Sequence, residues 1–173
     1  MRKVNLIVLA ECYANKCLAV SLIAIMRGRI PSVEAKIKHN EKMGRDRILK
    51  VLDRVRGRLG GAEVLLAVID YERGIARKYV EANFKILATY YDNIVHIAVF
   101  KEPKVISIIL DPDIGEFLCK TTKRYCSDSE RRELKRGGQD EVCRKLQDLA
   151  NVGLSHVIGN LVDTLVAQLG ETL

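Results

Sequence analysis

The sequence predicts an α/β fold of three layers, a mostly parallel central sheet with helices on both faces and a helical extension at the C-terminus. Three observations predict it. Near-continuous apolar runs at Val4–Ala10, Val64–Ile69 and Ile94–Phe100 read as strands, the first two buried on both faces. Stretches of helical periodicity separate these runs, so strand and helix alternate through the first hundred residues. The 173 residues are 48% hydrophobic and 29% charged with only three prolines, which suits one folded domain with a sizeable core.

Each element has its own signal. After the first strand, Leu18, Leu22, Ile25 and Met26 recur at helical spacing within Ala14–Arg27, and Gly28 with Pro31 closes that helix. Ser32–Lys38 alternates Val33, Ala35 and Ile37 against Glu34, Lys36 and Lys38, the pattern of a strand near an edge with one wetter face. Ile48, Leu52, Val55 and Leu59 then form the apolar stripe of a second helix whose other face is basic, ended by Gly60-Gly61. The strand Val64–Ile69 comes next, and the periodicity predicts a third helix over about Ile75–Tyr90 before the strand Ile94–Phe100. Val105–Leu110 fits a strand or a short helix equally well, and Asp111-Pro112-Asp113 caps the element after it. Ser127–Gly138 is a strongly basic insertion with a capping box at Ser127 and Glu130, leading to a helix near Asp140–Asn151. The last helix is capped by Ser155 and presents Ile158, Leu161, Val162, Leu165 and Leu169, a face suited either to the body of the domain or to a homodimer. We read the chain as a single domain over 1–173, with the α/β core at about 4–100 and an extension from about 101.

A net charge of +7 favours polyanions, because each neutralised phosphate releases condensed counterions. DNA or RNA is the expected partner, although the absence of Trp argues against a base-stacking platform. No apolar stretch reaches the roughly 20 residues of a membrane-spanning helix, so a cytoplasmic protein without a membrane partner is expected. The five cysteines match no zinc spacing. The Lys/Arg/Glu-rich composition is thermophile-like, a setting in which intracellular disulfides occur, and Cys119 with Cys126 or Cys143 is the pair to test.

Ligands of an open parallel sheet bind beyond the carboxyl ends of its strands. Glu11 follows the first strand, and Asp70 and Glu72 follow the third. Hard carboxylate oxygens suit Mg²⁺ or Mn²⁺, held by one or two acids together with water and substrate phosphates. The alternative, purely structural role for these acids is to favour the N-termini of the helices that come after them. Basic candidates for phosphate are Lys16, Arg45, Arg47, Arg73 and Lys101, with Arg131, Arg132, Lys135 and Arg136 in the basic insertion. His39, His96 and His156 share no spacing and receive no role.

With Glu11 after the first strand, Asp70-Tyr71-Glu72 after the third and Gly44 and Gly74 in turns, residues 4 to 100 resemble the Toprim family. That family comprises topoisomerases, primases of the bacterial type, recombination-repair proteins and nucleases of the overcoming-lysogenization-defect type. The resemblance implies Glu11 as general acid or base, Asp70 and Glu72 as ligands of Mg²⁺, and a nucleic-acid phosphodiester as substrate, in a nuclease or a processing or defence component. The chain departs from the family pattern at Cys12, where glycine is usual, and at Glu72, where aspartate is usual.

Other classes are weaker. There is no G-x-x-x-x-G-K-[ST] loop and no G-x-G-x-x-G after the first strand. A nuclease of the PIN type calls for Asp where Glu11 stands. A receiver-like signalling module would use Asp70 as phospho-acceptor and Lys101 as its lysine, and a non-catalytic adaptor would bind nucleic acid through the basic insertion alone.

Overall fold

The computed structural model describes residues 4–38, 45–60, 63–72, 74–100, 105–121, 125–136, 139–152 and 155–172. Six strands and seven helices succeed one another as β1 (Val4–Ala10), α1 (Tyr13–Arg29), β2 (Val33–Lys38), α2 (Arg45–Arg56), β3 (Glu63–Asp70), α3 (Ile75–Asn83), β4 (Phe84–Tyr90), β5 (Val95–Phe100), β6 (Val105–Leu110), α4 (Ile114–Thr121), α5 (Asp128–Arg136), α6 (Gln139–Val152) and α7 (Ser155–Thr172). The strands form one sheet in the order β2-β1-β3-β6-β5-β4. β2, β1, β3 and β6 are mutually parallel, whereas β5 runs antiparallel to both β6 and β4.

Both strands read as doubly buried lie inside the sheet, β3 fully so and β1 with Asn5 exposed and Ile7 half-buried. β3 is buried from Val64 to Asp70 and β6 throughout, which only residues covered by helices on both faces can satisfy. β2 takes the expected edge position, with Glu34, Lys36 and Lys38 exposed.

The alternation of side chains along the strands divides the core into two layers. On one face Val4, Leu6, Val8, Leu66, Val68, Ile106 and Ile108 pack against α1, α4, α6 and α7. On the other, Leu9, Leu65, Ala67, Ile69 and Ile109 pack against Ile48, Leu49 and Leu52 of α2 and Val80 of α3. The result is the three-layer architecture expected from the sequence.

The third helix is shorter than its periodicity predicts. It ends at Asn83, and residues 84–90 form β4, so strict strand–helix alternation stops there and gives way to a β4–β5 hairpin. Tyr91, Asp92 and Asn93 make its turn with φ of 54°, 48° and 68°. Asp and Asn tolerate that left-handed region, and Tyr91 is held there by edge-on packing on Phe117 at 5.8 Å. Val105–Leu110, whose sequence suits strand and helix equally, is a strand, and it sits between β3 and β5. The sheet therefore draws a central strand from beyond residue 100.

The basic insertion is helical. Its capping box is closed, with the Ser127 amide donating to Glu130 Oε2 at 2.8 Å and the Glu130 amide donating to Ser127 Oγ at 3.3 Å. α4 and α5 approach so closely that a Cβ on Gly115 would lie 2.9 Å from the Arg131 carbonyl oxygen. The apolar face of α7, including Leu161, Val162, Leu165 and Leu169, is buried within the chain itself. Of the Ser155 cap and Ile158, only the helical backbone is described. Two disulfides occur, Cys119–Cys126, one of the two pairs to test, and Cys17–Cys143, so Cys143 pairs with α1 and not with Cys119.

Candidate functional site at the carboxyl edge of the parallel strands

Parallel pairing carries β1 and β3 to the same edge, and the ladder gains a rung past β1, where the Glu11 amide donates to the Val68 carbonyl at 3.1 Å. This rung turns the Glu11 side chain onto the end of β3. Its Oε2 accepts the backbone N–H of Asp70 at 2.9 Å. The Asp70 carboxylate points to the α1 side, where Oδ1 accepts the Asn15 amide at 3.2 Å and the Ile114 backbone N–H at 3.1 Å. Four segments, the ends of β1 and β3 and the beginnings of α1 and α4, thus meet on two carboxylates. Glu11 is 9% exposed, Asp70 1% and Asn15 0%.

A carboxylate this deep is tolerated only when its oxygens are engaged by donors or by a cation. Both predicted acids satisfy that condition, but not as the purely structural reading expected: Glu11 accepts an amide of β3 where a place at the start of α1 was expected, and Asp70 holds the first amide of α4 where α3 was expected. Asn15 adds a feature that neither reading contained. Its Oδ1 is buried and has no hydrogen-bond partner among the described residues. Exchanging the amide's oxygen and nitrogen would set an oxygen against Asp70 Oδ1, so the contact fixes the orientation. A buried carbonyl oxygen without a donor is unfavourable by about 1–3 kcal/mol, and it is also a hard ligand beside a carboxylate.

Glu72 lies two residues beyond Asp70, outside β3 and half-buried. It does not complete a three-residue set with Glu11 and Asp70. Among the described residues, no three of His, Cys, Asp and Glu are placed to hold a metal ion. The oxygen donors brought together are those of Glu11, Asp70 and Asn15. They fit a hard cation that takes one or two protein carboxylates and draws its remaining ligands from water and phosphate.

On the other face of the sheet, at the same edge, stands a cluster to which the sequence assigned nothing. His96 Nδ1 shares a hydrogen bond of 3.0 Å with Thr89 Oγ1, and Nε2 lies 3.8 Å from Asp111 Oδ2. Arg77 Nη2 is 3.7 Å from the same carboxylate, and its guanidinium covers the Tyr71 ring at 4.4 Å. Burial lowers the His96 pKa, with Arg77 acting in the same direction and Asp111 opposing. Because the folded state binds this proton less readily than the unfolded chain, stability is full above the ordinary His pKa of about 6.5 and falls as the pH drops toward the folded-state value. Melting temperatures of wild type and His96→Gln between pH 7.5 and 5 are expected to diverge, the wild type falling more steeply; parallel curves would refute the assignment.

The basic candidates fare unequally. Lys16 lies 5.4 Å from the Tyr13 ring on its own helix. Arg131 clasps α4 to α5 by hydrogen bonds to Asp128 and, at 2.7 Å, to Glu116, which raise its pKa. It therefore serves as a structural tie. Arg132 is exposed on α5. Arg73 and Lys101 lie outside the described residues, and of Arg45, Lys135 and Arg136 only the helical backbone is described. Asn15 and Asp111 are the residues that sequence reasoning missed. The one available signal for Asn15 is that it stands a helical turn after Glu11.

Comparison with protein-family models, with curated proteins and with solved structures finds no match. Among the described residues no helix is long and apolar enough to cross a membrane.

Proposed function

We propose that this chain is a Toprim-like, Mg²⁺- or Mn²⁺-dependent protein acting on nucleic-acid phosphodiesters, as a nuclease or as a component of nucleic-acid processing or defence. The observation that carries this reading is the junction of Glu11 and Asp70 at the carboxyl end of two adjacent parallel strands, with the buried Asn15 Oδ1 beside it. That edge is where ligands of such sheets bind. It is also where the resemblance drawn from Glu11 and Asp70-Tyr71-Glu72 expects the site.

In this reading Asp70, with Asn15 beside it, holds the cation, which when bound neutralises charge on a phosphodiester and acidifies water. Glu11 exchanges the proton. Asn15 and the Ile114 amide fix the rotamer of Asp70, so the ligand is set before substrate arrives. A receiver-like role is less well supported, because receivers usually carry an acidic pair at the end of the first strand, where this chain has Glu11 followed by Cys12.

Calorimetric titration of Mg²⁺ and Mn²⁺ in low salt, with and without a short nucleic-acid duplex, tests the reading. Binding by the wild type that disappears in Asp70→Asn is expected. A wild type that binds neither ion, even with the duplex present, would overturn it and leave a non-catalytic adaptor.

A further inference from the structure

We infer that the solvent face of α2 is a docking surface for the phosphate backbone of a nucleic-acid duplex, an inference that rests on the proposed action on nucleic acid and deepens it. The feature is a ridge of four cations, Arg47, Lys50, Arg54 and Arg58, all exposed. Their spacing of three, four and four residues puts them within one narrow arc of the helix. Arg58 stays in register because its amide donates to the Val55 carbonyl at 2.9 Å, adding a turn beyond the helix end. At about 1.5 Å per residue, the ridge runs for about 16 Å.

Three observations set this surface apart from the other basic residues. First, none of the four makes an ion pair among the described residues, whereas Arg131 of α5 is held by Glu116 and Asp128. Second, of the two acids of α2, Asp53 is turned away from the ridge, and of Asp46 only the helical backbone is described. Asp53 Oδ1 accepts the Tyr79 hydroxyl at 2.6 Å and lies 3.6 Å from Arg56, which itself stacks on Phe100 at 4.5 Å. Third, the register of β1 with β2 pairs Ile7 with Lys36 and Leu9 with Lys38, placing both exposed lysines on the sheet face that α2 covers. Cationic side chains therefore extend from the helix to the neighbouring sheet edge, where Glu34 shares the face with the two lysines.

The chemistry selects the partner. B-form DNA presents one phosphate charge per about 1.7 Å of axis, a density that a row of flexible cations can track without reading bases. No aromatic side chain lies within α2, so nothing on it would stack on the bases of a single strand. An anionic membrane would require apolar side chains to insert. Those of α2 are turned to the core, Ile48, Leu49 and Leu52 buried in it and Val51 and Val55 packed against it.

The test is the salt dependence of binding to a fluorescent 20-base-pair DNA duplex in a metal-free buffer, which removes the acidic site from the measurement. Compared with the wild type, a variant carrying Arg47→Gln, Lys50→Gln, Arg54→Gln and Arg58→Gln keeps helix propensity, and its folding is checked by thermal melting. The slope of log K against log salt is expected to become shallower by about 3–4, at about 0.9 for each phosphate that is no longer neutralised. Arg144→Ala, on an exposed position of α6, is expected to leave the slope unchanged. Wild-type binding whose slope survives all four substitutions would overturn the α2 surface while sparing the proposed function. A wild type that binds no duplex but does bind phosphatidylserine vesicles would overturn both.

Discussion

Asp70→Ala is expected to damage the fold, while Asp70→Asn removes activity and leaves the fold standing. The difference arises from the two donors that converge on Asp70 Oδ1, the Asn15 side-chain amide and the Ile114 backbone N–H. Alanine strands both of them in a buried site. At about 1–3 kcal/mol for each unsatisfied donor, the loss is about 2–6 kcal/mol, a large part of the stability of a domain this size. Asparagine retains an acceptor oxygen in the same place, so both contacts persist and only the negative charge goes. By the same reasoning Glu11→Gln keeps an oxygen for the Asp70 amide. Both conservative variants should therefore melt close to the wild type and lose metal-dependent cleavage by about 10²–10⁴-fold. Thermal melting together with a Mg²⁺-dependent nuclease assay reads both quantities. Undiminished cleavage in both conservative variants would remove Glu11 and Asp70 from the chemistry. A stable Asp70→Ala protein would remove the structural argument.

How much of this was legible in the sequence depends on the range of the interaction that fixes each feature. β3 is announced by composition, since a strand covered on both faces must be apolar, and β1 nearly so, its one polar residue, Asn5, standing exposed near its start. The placing of Glu11 and Asp70 is legible for the same reason, because both stand where such strands end. β4 is concealed for an equally local reason. Tyr79, Val80, Asn83, Ile86, Leu87 and Tyr90 continue a helical spacing, whereas β4 is an edge strand with one partner, and its pairing shifts between Ile86 and Ala88, which breaks the alternation that would have disclosed it. Asn15 gives little signal because its value lies in a contact 55 residues away. Asp111 is equally silent. It gains a role only once β6 enters the sheet beside β3 and β5, an adjacency that strand sequence does not encode. The pairing of Cys143 with Cys17 belongs to the same class.

That disulfide carries the second large effect. Cys17–Cys143 joins α1 to α6 across a sequence separation of 126, whereas Cys119–Cys126 spans only 7. In the chain-entropy account, closing the longer loop stabilises by about 5 kcal/mol and the shorter one by about 2 kcal/mol. For a chain of this length about 2–4 °C accompanies each kcal/mol, so Cys143→Ser is expected to melt about 10–20 °C below the wild type and Cys126→Ser only about 4–8 °C below. The fold should survive in both. Val142 and Leu146 of α6 and Leu18, Leu22 and Met26 of α1 are buried in the core and pack there independently of the cross-link. The loss has a specific direction nonetheless. Cys17 lies half a turn past Asn15, so the cross-link fixes the very stretch of α1 that orients Asp70. Reduction should therefore lower both cation affinity and melting temperature in the wild type and in Cys126→Ser, whereas in Cys143→Ser it should lower only the melting temperature, through Cys119–Cys126, and leave the affinity unchanged. Melting and calorimetry with and without reductant measure both. A Cys143→Ser protein that melts no lower than Cys126→Ser would show that α6 is held by packing alone, and the coupling between this cross-link and the acidic site would go with it.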